Sequence, residues 1–184
     1  MSTGIWIVVL ILLIVVIWFM STYNGLVKLR NLVEEGWSDI NVQLKRRYDL
    51  IPNLVNAVKG YAAHESGVFE KVTEARAAAM NATVPADRAQ AENQLSQTLK
   101  SLFAVAEAYP QLQAAGNFAE LQQELTDTEN KIESSRRFYN GAVRDFDIKL
   151  QVFPTNLIAG TFGFAKKDFF QAPDDVNAAP EVKF

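Results

Sequence analysis

From Leu26 onward, apolar residues recur every three or four positions with charged residues between them. This spacing is typical of a helix that packs one face against a neighbour. It returns in two later stretches, which begin near Leu95 and Phe118. No stretch alternates strictly between apolar and polar residues, as a half-buried strand would. The pattern therefore predicts an all-α fold.

Glycine, proline and asparagine residues divide this pattern into helices. Pro85 suits a first helical turn after a Thr83 N-cap, and Asn117 suits the N-cap of the last helix. The expected helices cover about 23–63, 66–80, 85–109 and 117–153. Because the first and last are similar in length, we expect them to pair in a long antiparallel bundle of four helices. A three-helix variant would keep 23–80 as one helix, kinked at Pro52.

The N-terminal part of the chain is apolar throughout. Residues 4–20, the apolar segment, hold no charged or strongly polar side chain. About 20 such residues cross the roughly 30 Å hydrocarbon core of a bilayer. A cleaved signal peptide would start with basic residues and end in small ones, which this segment lacks. We therefore predict a transmembrane anchor over 1–22. Its predicted anchor residues are Gly4, Ile5, Trp6, Trp18, Phe19 and Met20.

Basic residues follow the apolar segment, and none precedes it. Lys28 and Arg30 come within ten residues of its end. Cytoplasmic flanks of membrane helices carry an excess of Lys and Arg. We therefore expect the helical body in the cytoplasm and the short N-terminus outside.

Composition removes several classes of function. The formal net charge is −3, which does not supply the strongly basic face that nucleic-acid binding needs. The chain has no cysteine and one histidine, His64, so disulfides, thiolate sites and histidine metal clusters are excluded within one chain. The zinc-protease spacing from His64-Glu65 also fails, since Val68 stands where a second histidine is needed. We expect no enzyme activity, no metal, no cofactor and no small-molecule substrate.

A basic cluster lies in the first predicted helix. It consists of Lys45, Arg46, Arg47 and Asp49. Such charges usually form a solvated face with an ion pair to the next turn. The same residues could instead dock an acidic partner or a second copy of the chain. They are the predicted partner-binding residues.

The segment 154–170 is rich in phenylalanine and follows the last predicted helix. It could pack as a lid on the end of the bundle. It could also lie at a membrane surface, with phenylalanines in the acyl boundary and lysines among headgroups. The predicted membrane-interface residues are Phe162, Phe164, Lys166, Lys167, Phe169 and Phe170. Beyond them, the composition of 171–184 predicts a disordered tail, so that the bundle itself covers 23–153.

Several short strings occur together in a characteristic order. They include Lys45-Arg-Arg-Tyr-Asp-Leu-Ile-Pro-Asn-Leu-Val55, Arg136-Arg-Phe-Tyr-Asn140 and Phe153-Pro154. Their order and spacing resemble the LemA family of bacterial membrane proteins, over nearly the entire chain. The resemblance implies a single-pass protein of the bacterial cytoplasmic membrane with a long helical bundle. A related domain occurs in proteins linked to magnetosome membrane formation, which favours a role in membrane organisation. Gly36 stands where the family often has alanine and is expected to loosen its helical turn.

Two functional hypotheses follow. The first is a non-enzymatic scaffold that self-associates through coiled-coil-like helix faces and organises or shapes the membrane. The second is an adaptor whose bundle docks a membrane protease or signalling partner. Both take the lipid bilayer as a partner, and neither involves nucleic acid.

Overall fold

The computed structural model describes residues 3–170, and these form helices without a strand. The helices are α1 (Thr3–Lys59), α2 (Ser66–Asn81), α3 (Pro85–Glu107), α4 (Pro110–Gln113), α5 (Gly116–Gln151) and α6 (Thr155–Thr161). The predicted all-α fold and its four long helices are confirmed, with α4 and α6 as short additions. The predicted tail, 171–184, lies outside the described residues.

Helix α1 is continuous over 57 residues, about 85 Å at 1.5 Å per residue. It joins the apolar segment to the amphipathic pattern without a break. Pro52 lies inside it with its side chain exposed, and the helix continues beyond it to Lys59. The chain turns only after Lys59, where Ala62 N donates to the Val58 carbonyl. Helix α2 is thus separate, and the three-helix variant is wrong.

The helix starts follow proline more closely than the predicted caps. Pro85 is the first residue of α3, as predicted, but Val84 and not Thr83 precedes it in extended conformation. Helix α5 begins at Gly116, so Asn117 lies within its first turn. There its side-chain oxygen accepts a hydrogen bond from Phe118 N.

The helices divide into two compact units. Unit 1 contains residues 3–38 and Phe138–Lys167, that is, the beginning of α1 with the end of α5 and α6. In it, α1 and α5 are antiparallel: Trp37 packs on Tyr139 at 5.4 Å between ring centroids, whereas Phe164 contacts both the earlier Tyr23 and the later Phe146. Its buried side chains are Leu26, Val33, Tyr139, Ala142, Val143, Phe146, Thr155, Ile158 and Ala159.

Gly36 marks the closest approach of the two helices in unit 1. A Cβ added there would stand 3.1 Å from Phe138 Cδ1 and 3.2 Å from Tyr139 Cα. Real Cβ atoms seldom come so near a backbone atom. The glycine therefore lets α5 lie directly against α1.

Unit 2 contains 39–137 together with 168–170 of the described residues. It takes the end of α1, all of α2, α3 and α4, and the beginning of α5. Leucine, isoleucine and alanine side chains from these helices fill most of its interior. Four buried side chains carry polar or charged groups, namely Arg47, Tyr48, Glu92 and Thr128.

Candidate functional site

The apolar segment is exposed along its length. Every residue from Ile5 to Met20 presents a large hydrophobic side chain to the surroundings. Among the described helices, only α1 contains a stretch long and apolar enough to cross a membrane. Since large exposed apolar surfaces are rare on water-soluble proteins, this segment is the first candidate functional region.

Aromatic rings close the end of the apolar segment within unit 1. Phe162, just after α6, packs on Phe19 at 5.8 Å and on Tyr23 at 5.0 Å between centroids. Phe164 packs on Tyr23 at 5.8 Å and on Phe146 at 6.3 Å. These four contacts form the aromatic cluster, and they attach the C-terminal residues of unit 1 to the last turn of the apolar segment.

The charged residues around the aromatic cluster are basic and exposed. The Arg30 guanidinium lies 5.6 Å from the centre of the Phe164 ring, a cation–π contact. Lys166 and Lys167 are exposed, and the backbone N–H of Lys167 donates to Asp147 Oδ1 at 3.4 Å. Phe162 and Phe164 thus lie in the aromatic cluster, and Lys166 and Lys167 follow them on the exposed surface of unit 1.

The last two members of that set belong to unit 2. Phe169 is partly exposed, but Phe170 is fully buried. The Arg136 guanidinium lies 5.2 Å from the centre of the Phe170 ring. Phe170 therefore contributes to the interior of unit 2, which corrects its predicted place at a membrane surface.

Three members of the basic cluster face solvent. Lys45 Nζ and Asp49 Oδ2 form an ion pair at 2.6 Å, one helical turn apart. Arg46 is exposed beside them. Together with four further residues of unit 2 they line an open groove of about 440 Å³, which we call the α1 groove. The other residues that line it are Val42, Leu50, Asn53 and Glu124.

Arg47 corrects the predicted cluster, because its side chain points to the interior and is 1% exposed. Its guanidinium pairs with the carboxylate of Glu92, which is also buried. A second carboxylate, Glu129 Oε1, accepts from Arg47 Nη1 at 2.6 Å. Arg47 cannot meet an external partner while these contacts hold it inside unit 2.

Further hydrogen bonds extend this buried network, which we call the ionic core. The Tyr48 hydroxyl donates to Glu92, and Arg47 Nη1 also donates to Ser96 Oγ at 3.1 Å. Arg76 Nε, from α2, donates to the Tyr48 carbonyl at 2.8 Å. The network thus joins α1, α2, α3 and α5 inside unit 2. Buried charges are costly unless paired in this way, and we expect the arrangement to fix the register of the four helices.

The ionic core was not predicted, although the sequence carries a signal for it. Arg47 lies three residues after Leu44 and four before Ile51, which is the spacing of a core position. Glu92 lies three residues after Ala89 and three before Leu95. Two opposite charges at core positions of different helices are the pattern that could have found this pair.

A cavity of about 290 Å³ lies between α3 and α5 of unit 2. Leu99, Phe103 and Leu125 supply its apolar wall, and Lys100 and Glu129 its charged edge. Among residues 3–170, no group of three or more Asp, Glu or His side chains is arranged to hold a metal ion. The geometry is thus that of helix packing with a mostly apolar cleft.

These features define a class of protein: an all-helical chain whose first helix begins with an apolar stretch long enough to cross a membrane. The family model described as the LemA family matches residues 36–184. The chain belongs to the LemA family, which confirms the resemblance seen in its sequence.

Curated relatives carry two kinds of name. Magnetosome protein MamQ 2 of Paramagnetospirillum magneticum is 25% identical over 175 residues, covering 81% of this chain and 64% of the relative. Magnetosome protein MamQ of Magnetospirillum gryphiswaldense is 23% identical, covering 80% and 64%. Protein LemA of Metamycoplasma hominis is 25% identical over 157 residues, covering 85% and 72%. The chain thus spans about 64% of the length of these MamQ proteins.

Proposed function

We propose that this protein is a membrane-anchored, non-enzymatic scaffold that self-associates at the bacterial cytoplasmic membrane and organises it. The observation that carries the proposal is the contact of Phe162 with Phe19 and Tyr23. Through it, the C-terminal residues of unit 1 are fixed to the end of the apolar segment. Copies anchored in one bilayer would therefore present the same faces of unit 1 to one another. The similarity to proteins named for the magnetosome supports a role in membrane organisation.

Self-association is tested on the full chain reconstituted into lipid. The mass of particles in nanodiscs and small vesicles is measured by mass photometry while the ratio of protein to lipid is lowered. A discrete assembly that persists on dilution is expected. A mass that falls to that of one chain at every density would contradict the scaffold.

The proposed orientation places the helical body in the cytoplasm. Its support is the pair Lys28 and Arg30 after the apolar segment, with no basic residue before it. Because the chain has no cysteine, a single thiol at the exposed Asn31 can report the side. We expect a membrane-impermeant maleimide to label Asn31→Cys only after cells are opened. Labelling of intact spheroplasts would show that the helical body lies outside the cytoplasm and would contradict the proposed orientation.

The second candidate function is an adaptor, and the α1 groove favours it. Exposed Val42 and half-buried Leu50 give the groove an apolar floor, and Lys45, Arg46 and Asp49 give it a charged rim. Because Glu124 also lines the groove, its charges are mixed, and an amphipathic helix of a membrane protease or signalling protein that carries both acidic and basic residues would fit this chemistry.

The adaptor is tested with Arg46→Glu, which reverses an exposed charge. The matched control is Arg137→Glu, an exposed arginine of the same unit that pairs with Glu133 one turn away. Loss of a crosslinked hetero-complex only in Arg46→Glu is expected, with self-association unchanged. Equal crosslinking in both variants would exclude the α1 groove as the docking site. Arg47 is unsuitable for this test, because its reversal would break the ionic core.

A further inference from the structure

The region from the end of α5 to just after α6 carries large apolar side chains that remain exposed. Phe153 is 74% exposed and Leu157 is 61% exposed. Val152 and Phe162 are also exposed. We call these four residues the apolar corner. Thr155, Ile158 and Ala159 of α6 are buried, so Leu157 is the large apolar side chain that α6 leaves exposed.

The apolar corner lies level with the end of the apolar segment. Tyr139 packs on Trp37, and α5 then runs antiparallel to α1 for twelve residues to Gln151. At 1.5 Å per residue this is roughly 18 Å, which places the end of α5 beside about residue 25 of α1. The contact of Phe162 with Phe19 carries the following residues further, to the last turn of the apolar segment.

We propose that the apolar corner inserts into the bilayer leaflet beside the anchor and forms a second membrane contact. This inference rests on the proposed membrane-spanning role of the apolar segment. Residues level with the end of a spanning helix meet the headgroup region, where apolar side chains typically enter about 5–10 Å into the boundary with the acyl chains. Without this insertion, the exposed side chains of Phe153 and Leu157 would be in water although lipid lies beside them.

The charges around the corner suit the same partner. Lys149, Lys166 and Lys167 are exposed in this part of unit 1, at positions from which long side chains reach headgroup phosphates. Asp147 is occupied by the Lys167 backbone, and Asp145 by Arg144, at 3.0 Å. The occupant of the corner is therefore a phospholipid surface with anionic headgroups.

The test uses the full chain with one cysteine per variant, which is possible because the chain has none. Each variant carries an environment-sensitive nitrobenzoxadiazole label and is reconstituted into phosphatidylcholine–phosphatidylglycerol vesicles. Leu157→Cys reports the apolar corner, and Ile11→Cys reports the anchor. Phe138→Cys is the matched control, since Phe138 is an exposed phenylalanine of unit 1 that lies 13 residues, roughly 20 Å, before the end of α5. Equal helicity by circular dichroism shows that each variant is folded.

Phosphatidylcholine brominated on its acyl chains quenches a label only where lipid tails touch it. We expect quenching at Leu157→Cys as strong as at Ile11→Cys, and none at Phe138→Cys. Iodide in the aqueous phase should quench the label at Phe138→Cys most strongly and the labels at Leu157→Cys and Ile11→Cys much less.

Other outcomes separate the two proposals. Quenching by brominated lipid at Ile11→Cys but not at Leu157→Cys overturns the insertion of the corner and leaves the anchor intact. Protection of Leu157→Cys from both quenchers would place protein on the corner, which also overturns it. Absence of lipid quenching at Ile11→Cys would refute the spanning role on which both proposals depend.

Discussion

The two units of this chain hold their helices together with different chemistry. In unit 1, α5 packs closely on α1 at Gly36, and the rings of the aromatic cluster pack together near the apolar segment. Unit 2 places a guanidinium and a carboxylate in the middle of its interior and connects them to four helices. Apolar contacts tolerate small rotations of a helix, whereas paired buried charges do not. The comparison suggests that unit 1 is adapted to contact lipid and unit 2 to keep one helix register.

The largest expected effect comes from removing the ring of Phe146, which is fully buried in unit 1 and touches Phe164. Phe146→Ala should lower the free energy of unfolding by about 4 kcal/mol, as truncations of buried phenylalanine do. Urea unfolding in mild detergent, followed by circular dichroism, measures the loss. Hydrogen exchange should increase in 138–151 and 21–38 first. An equal increase in peptides of unit 2 would show that the two units unfold as one.

Loss of a charge from the ionic core should destabilise unit 2 nearly as much as Phe146→Ala destabilises unit 1. Glu92→Leu removes the buried partner of Arg47 and should cost about 3 kcal/mol, since the buried guanidinium keeps only the partly exposed Glu129 as a partner. The cost stays below that of Phe146→Ala because Glu129 still pairs with Arg47.

The double variant Arg47→Met with Glu92→Leu is the control for the ionic core. It removes both charges and should recover most or all of the stability. If the double variant loses more than Glu92→Leu alone, the network stabilises the fold directly, and the interpretation that it mainly fixes register is wrong. Line widths in methyl NMR spectra of the double variant would report any loss of a single register.

Most helix ends followed from the sequence because they depend on local spacing, although α1 begins at Thr3 and not near residue 23. The pairing of α1 with α5 was predicted from the similar lengths expected for the first and last helices. Turn residues around Gly60, Pro85 and Pro110 interrupt the helical spacing of apolar residues. Each interruption can be recognised from the neighbouring residues alone. The interior position of Arg47 could not be read in this way. Charged residues are assigned to solvent by default, and only the partner on α3 makes burial of the guanidinium favourable.

The C-terminal residues show the same limit. Phe162 and Phe170 are chemically identical, and the residues after Thr161 have no helical periodicity to separate them. One is exposed beside the apolar segment, and the other is buried under Arg136. Which phenylalanine is covered depends on the path of the chain and not on its composition.

A smaller effect is expected at the closest helix contact of unit 1. Gly36→Leu should destabilise by about 2 kcal/mol, because Tyr139 Cα leaves no room for the added side chain. Gly25 is the matched control, with nothing within 4 Å of an added Cβ. Gly25→Ala should instead stabilise by about 0.5–1 kcal/mol through helix propensity. Thermal unfolding of both variants in one detergent decides the matter, and equal shifts would argue against close packing at Gly36.

The smallest effect is expected when an exposed ion pair of unit 2 is removed, in contrast to the buried charges of the ionic core. Lys45→Ala breaks the exposed ion pair with Asp49 and should change stability by less than about 0.5 kcal/mol. Urea midpoints compared at low and high salt measure it. A loss as large as that of Glu92→Leu would mean that the surface pair, and not the ionic core, distinguishes unit 2.

Unit 1 is assembled from two pieces of chain separated by the whole of 39–137. During synthesis, about 100 residues must be added after Ser38 before Phe138 appears, which takes about 5–20 s at roughly 5–20 residues per second. Throughout that interval the inner face of 21–38, including Leu26 and Val33, has no partner within its own unit. Most of unit 2 emerges meanwhile as one uninterrupted stretch. Newly made copies therefore pass through a stage in which most of unit 2 can fold while unit 1 still lacks the residues from Phe138 onward.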